Sequence, residues 1–205
     1  YAVNLLSSVA TGVFINLVLS SVAQSAYIAA YGIQRSISSV VWITYLGVAD
    51  TVWVLASIYY GEEDRKALIA LQNTATRKGI AVCGGTAILL VFFPRFFAGI
   101  YIGTGDSLTL SLATEAVRLL GFSVPLYLAV YAFDYYLMGT GKLRAANFYN
   151  LLLECGVVIP VVWLMVTLFG GRGVWLATPV ILLFMLGGAI LYISKWKNGD
   201  SFSEK

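Results

Sequence analysis

The chain has 205 residues, 13 bases against 10 acids, and a formal net charge of +3 at pH 7. Hydrophobic residues make up 60% of it, charged residues only 11%, and mean hydropathy is +0.85; soluble domains carry about 25% charge, so this composition excludes a water-soluble globule and points to lipid as the solvent. Histidine is absent, which removes histidine triads, histidine zinc sites and imidazole proton shuttles, and the small dispersed charge offers no basic stripe for nucleic acid.

A bilayer core about 30 Å thick needs about 20 apolar residues in a helix. Six runs qualify, and they predict an all-α polytopic membrane protein, because backbone groups in lipid must pair within the segment. The first run covers residues 4–22. YGIQRS then reads as a break before the second, 36–60, which ends at Gly61 and the charged knot GEEDRK. A glycine suits a helix C-terminus, and acids suit the start of the next helix, so GEEDRK reads as a solvated elbow. The third run is 79–97, followed by IGTGDS; the fourth is 111–138, followed by MGTGKLR. The fifth is 145–169 and the sixth 173–193, separated by FGGRG. Together they form one six-helix transmembrane unit over residues 1–205. Transmembrane strands would need alternating polarity over about ten residues, and these runs do not alternate. Cys83 and Cys155 lie far apart within apolar runs and read as small buried side chains, not a disulfide.

Orientation follows from the basic residues. The segment 61–78, the turn 139–144 and the C-terminal tail hold Arg65, Lys66, Arg77, Lys78, Lys142, Arg144, Lys195, Lys197 and Lys205, against Arg35, Arg95 and Arg172 on the other side. This asymmetry predicts both ends of the segment in the cytoplasm and a multi-pass protein of the inner, cytoplasmic membrane. Arg118 lies three residues after Glu115, a spacing that suits a local ion pair.

Besides Glu115, paired above with Arg118, three carboxylates fall inside apolar runs: Asp50, Asp134 and Glu154. An Asp at a helix centre costs about 2.5–3.5 kcal/mol on insertion scales, and such groups face a bundle interior or a wet cavity. Helical spacing supports that reading. Ser123, Tyr127, Tyr131 and Asp134 form a stripe on the fourth helix; Asn147, Asn150 and Glu154 form one on the fifth; Ser8, Gly12, Asn16 and Ser20 form one on the first. The candidate substrate or ion pathway is therefore Asp50, Asp134, Glu154, Asn16, Tyr127, Tyr131, Asn147 and Asn150, with Asp134 or Glu154 as the place for Na⁺. Carboxylates, amides and tyrosine faces suit cations. Pro125 and Pro160 fall within the runs, where they kink or shape a helix.

Several stretches in order carry a resemblance: FINLVLSS, AYIAAYGIQRSISS, GVADTVWVLASIYYGEEDRKAL, YYLMGTGKLRAANFYNLL and FGGRGVWLATP. Their sequence resembles the C-terminal half of the multidrug and toxic compound extrusion (MATE) family, over nearly the whole chain. The resemblance implies one half of a twelve-helix, pseudo-twofold antiporter that exports organic cations or drugs as Na⁺ or H⁺ enters, with no other cofactor. It also implies a missing N-terminal six-helix half and a complete chain of about 450 residues, with the substrate between the halves; the start at Tyr1 fits a segment of a longer chain. Asp50 falls where many relatives carry a small polar residue. Asn16 falls near a polar cavity position of the first helix, where some relatives have a Glu. Where some relatives carry an Asp in the fourth helix, this chain has Tyr127, and Asp134 lies two turns further on.

A second reading is a lipid-linked oligosaccharide or polysaccharide flippase of the same wider superfamily. That activity asks for a cationic cavity, and Arg118 is the one base expected within the helices. An enzyme such as an intramembrane protease is disfavoured by the absence of histidine and of a GxSG segment, and a purely structural subunit by the polar stripes.

Overall fold

The computed structural model describes residues 2–22, 25–102 and 107–198. Part of IGTGDS (residues 103–106), the side chain of Ser8 and the tail with Lys205 lie outside the described residues. The protein is all helix there. The helices are α1 (Ala2–Val22), α2 (Ser25–Gly61), α3 (Arg65–Phe92), α4 (Pro94–Tyr101) and α5 (Ser107–Gly139). After a short turn come α6 (Leu143–Leu151), a π-turn (Leu152–Gly156), α7 (Val158–Phe169), a 3₁₀ turn (Gly170–Arg172) and α8 (Gly173–Asn198). Four described stretches are long and apolar enough to cross a membrane: Ser25–Gly61, Arg65–Phe92, Ser107–Gly139 and Leu143–Ser194. The last turns back at Gly170, which ends α7 with a φ of 62°, a backbone conformation that favours glycine.

Two predicted breaks move. YGIQRS does not interrupt the chain, because α2 runs without a break from Ser25. Its polar residues mark one face of a helix, and polarity in a bundle signals a cavity wall as readily as a chain reversal. The charged elbow shrinks to residues 62–64. The Asp64 carboxylate accepts a hydrogen bond from the Ala67 N–H at 2.9 Å and caps α3, as an acid at a helix start should; Arg65 to Lys78 are therefore helical. The run 79–97 also divides, because Pro94 has no N–H to extend α3 and instead opens α4.

α5 is the central rod and packs on α2, α3, α4, α6 and α8. Its small residues let neighbours close in, as lipid-phase packing requires. A Cβ on Gly139 would sit 2.6 Å from the Trp53 carbonyl oxygen and 2.7 Å from the Ala56 Cβ. Gly139→Leu is accordingly expected to push α2 from α5 and destabilise the bundle by about 1–3 kcal/mol, read as a lower thermal midpoint of the purified protein. An unchanged midpoint would mean that the two helices do not meet there. Both cysteines are free. Cys83 Sγ faces the Thr44 carbonyl and Cys155 Sγ the Ser7 carbonyl.

Candidate functional site

A cavity of about 430 Å³ opens between α1, α2, α5, the π-turn, α7 and α8; binding pockets for drug-sized molecules measure about 300–1,000 Å³. One wall is aromatic. Tyr45 of α2 stacks on Tyr127 of α5, ring centroids 5.6 Å apart and 3° from parallel. Tyr45 also stacks on Tyr131 at 5.5 Å, and Trp42 meets Tyr131 edge-on at 4.8 Å. These rings lie on the cavity face of α2 and α5 because Trp42 and Tyr45 are spaced three apart and Tyr127 and Tyr131 four apart.

Glu154 supplies the acid. It sits in the π-turn, and the cause of that turn is local. Pro160 cannot donate a backbone bond, and its ring would crowd the carbonyl four residues back, at Gly156. The chain widens just there: the Val157 N–H bonds to the Leu152 carbonyl, five residues back, at 2.8 Å. Such turns recur at functional sites. The Thr11 hydroxyl of α1 donates to the backbone carbonyl of Glu154, tying α1 to the turn without engaging the carboxylate. No ion pair of Glu154 occurs among the described residues.

Arg35 supplies the base. It lies against Gly12, where a Cβ would be 3.2 Å from Nη1, and it donates to the Tyr31 hydroxyl at 3.4 Å. Beside it, Gln34 is 6% exposed and its Oε1 has no hydrogen-bond partner among the described residues.

The eight predicted pathway residues divide three ways. Glu154, Tyr127 and Tyr131 line the cavity. Asp134 and Asn150 meet outside it: the buried Asn150 amide donates to both Asp134 oxygens at 2.8 Å and to the Ala146 carbonyl at 3.3 Å. Asp50, Asn16 and Asn147 are exposed on the surface of this lobe and do not join the cavity. In the first-helix stripe, Gly12 faces Arg35, while Asn16 and Ser20 turn outward; Thr11 and Ile15 reach the cavity instead. Glu115 pairs with Arg172 at 3.4 Å, not with Arg118, and also accepts from the Trp175 indole at 3.5 Å. The start of α8 reaches that carboxylate from a neighbouring helix, whereas Arg118 is exposed.

Thr11, Gln34, Arg35, Trp42 and Tyr45 were not among the predicted site residues. A signal for four of them existed. Gln34, Arg35, Trp42 and Tyr45 share one helical face once YGIQRS is read as helix rather than loop.

This architecture has known counterparts. The sequence profile of the MatE family matches residues 1–164. No curated protein matches the chain in sequence at a significant level. Among solved structures, the chain is similar to a MATE protein in a bent conformation (TM-score 0.81, 16% identity), covering 95% of this chain and 44% of that one. It is similar to the inward-facing form of a multidrug resistance MATE family transporter of the MOP superfamily (TM-score 0.81, 16% identity), covering 96% of this chain and 46% of that one. It is likewise similar to a MATE protein in complex with MaL6 (TM-score 0.82, 17% identity, 96% and 45% covered). The chain thus spans less than half the length of these proteins. With the family profile covering residues 1–164 and an all-helical architecture among the described residues, the chain belongs to the MatE family of membrane transporters.

Proposed function

We propose that this chain forms one lobe of a cation-coupled antiporter that exports organic cations or drugs across the cytoplasmic membrane. Inward Na⁺ or H⁺ is the coupling ion. The observation that carries the reading is the Glu154 carboxylate set in a cavity walled by Trp42, Tyr45, Tyr127 and Tyr131. Aromatic faces attract organic cations, and an acid can hold the coupling ion. The multidrug description of a similar solved transporter supports the same reading. A second six-helix unit, proposed as the N-terminal half of the same chain, completes the substrate path. The exposed face of α2 that carries Asp50 is proposed to meet that unit or water, since a carboxylate in hydrocarbon costs about 2.5–3.5 kcal/mol. Arg35 lies in the cavity and leaves the outer group of bases, so Arg95 and Arg172 remain against the basic cluster. The proposed orientation, with both ends of the segment cytoplasmic, gains from that change.

Arg35 also gives the cavity a base that the flippase reading lacked. Glu154 in the same lining brings its formal charge to zero without pairing with Arg35, and a cavity without net positive charge does not favour a pyrophosphate.

Ethidium efflux in cells expressing the intact transporter tests the proposal, with pH and Na⁺ gradients imposed separately. Efflux driven by one of the gradients supports it. No cation export under either gradient, together with flipping of a lipid-linked precursor, overturns it. Tyr131→Ala removes a ring from the aromatic wall and is expected to weaken ethidium binding about 3- to 30-fold, measured by fluorescence titration. Unaltered binding would place the dye elsewhere.

A further inference from the structure

The cavity holds features that a plain organic cation does not use. Its lining includes one base as well as one acid, and among the described residues neither Arg35 nor Glu154 is ion-paired. Both lie beside the same turn of α1: Thr11 binds the Glu154 backbone, and Gly12 abuts the Arg35 guanidinium. The two charges therefore share one end of the cavity without closing on each other. Beside them, the partnerless Oε1 of Gln34 is an acceptor withdrawn from water. A buried acceptor without a donor costs stability, and a ligand N–H or O–H would relieve that cost. An aromatic monocation could meet Glu154 and the rings, but it would leave the exposed Arg35 guanidinium at the same end of the cavity without an anion. Like charge close to a bound cation also disfavours it.

We propose that Arg35 forms an anion subsite beside the Glu154 carboxylate, so that the cavity prefers an aromatic zwitterion to a monocation of the same ring frame. The carboxylate or sulfonate of such a ligand accepts from the guanidinium, a fork suited to that geometry. Its ammonium or iminium end meets Glu154, a donor group reaches Gln34 Oε1, and the ring lies on Tyr45 and Tyr131. This inference rests on the cavity being the transport site and narrows the substrate class within it.

The test uses the intact transporter, purified in detergent, and two probes that share one ring frame and differ at the carboxyl group: a cationic rhodamine methyl ester and its zwitterionic free acid. Fluorescence anisotropy gives Kd for each. The free acid is expected to bind about tenfold tighter than the ester. Arg35→Gln should weaken the acid and strengthen the ester, inverting the preference, while Arg35→Lys should restore part of it. Glu154→Gln should weaken the ester more than a dye that keeps only the acidic group. Equal Kd values in the wild type, or tighter binding of the ester, overturn the proposal without any variant. An Arg35→Gln variant that loses both dyes in proportion assigns Arg35 a packing role and also overturns it. Export of the ester from loaded vesicles tests the transport reading separately: gradient-driven export without a preference for the acid sinks the anion subsite alone, whereas binding with the expected preference but no export sinks the transport reading alone.

Discussion

Glu154→Gln is expected to lower gradient-driven ethidium export more than tenfold while leaving the protein folded. The change removes a charge and little volume, and the contact that anchors the π-turn uses the backbone carbonyl of residue 154, not its side chain. Folding therefore has no reason to follow the carboxylate, whereas the proposed export does. One charge crossing 100 mV contributes about 2.3 kcal/mol, so a single acid that binds and releases the coupling ion is enough to drive export. Asp50→Asn is the control of choice, because that carboxylate is exposed and lies outside the cavity of this lobe. Export that survives Glu154→Gln but fails in Asp50→Asn would move the coupling site to the α2 surface and the proposed second lobe. The measurement is initial efflux rate at matched expression, under each imposed gradient.

The second large effect concerns stability. Asn150→Leu is expected to destabilise the bundle by about 2–3 kcal/mol, because it strips the Asp134 carboxylate of its donor in a buried position. Replacing both partners should cost less than that single change, since two matched apolar groups leave nothing unsatisfied. Thermal midpoints of Asn150→Leu, Asp134→Leu and the double variant form the cycle. A double variant as unstable as the sum of its parts would remove the clasp as the link between α5 and α6. Asp134→Asn addresses function at the same place: if it folds like the wild type and abolishes export, the coupling role passes from Glu154 to Asp134.

The membrane class, the helical rods and the approximate positions of most turns were legible because they depend on sums over long stretches. Twenty apolar residues in lipid have few conformations that satisfy their backbone, and Gly61, Gly139 and the FGGRG segment sit where chain reversals need them. The acids were legible as a class, since each is costly in hydrocarbon. Their destinations were not. Asp134, Asp50 and Glu154 look alike in sequence, yet one is clasped by an amide, one is exposed and one faces a cavity. YGIQRS was misread for a related reason: a polar patch reports that something polar is nearby, whether water beyond a turn or a chamber inside a bundle.

By itself, the amino-acid order determined that this protein is an all-helical membrane lobe with a few polar groups inside it, because solvent and backbone bonding leave so little choice along each segment. Which polar groups meet was decided by the tertiary structure alone. Helix rotation, the π-turn ahead of Pro160 and the close approach at Gly139 set the facing angles, and a rotation of one residue, about 100° on a helix, separates a cavity wall from an outer surface.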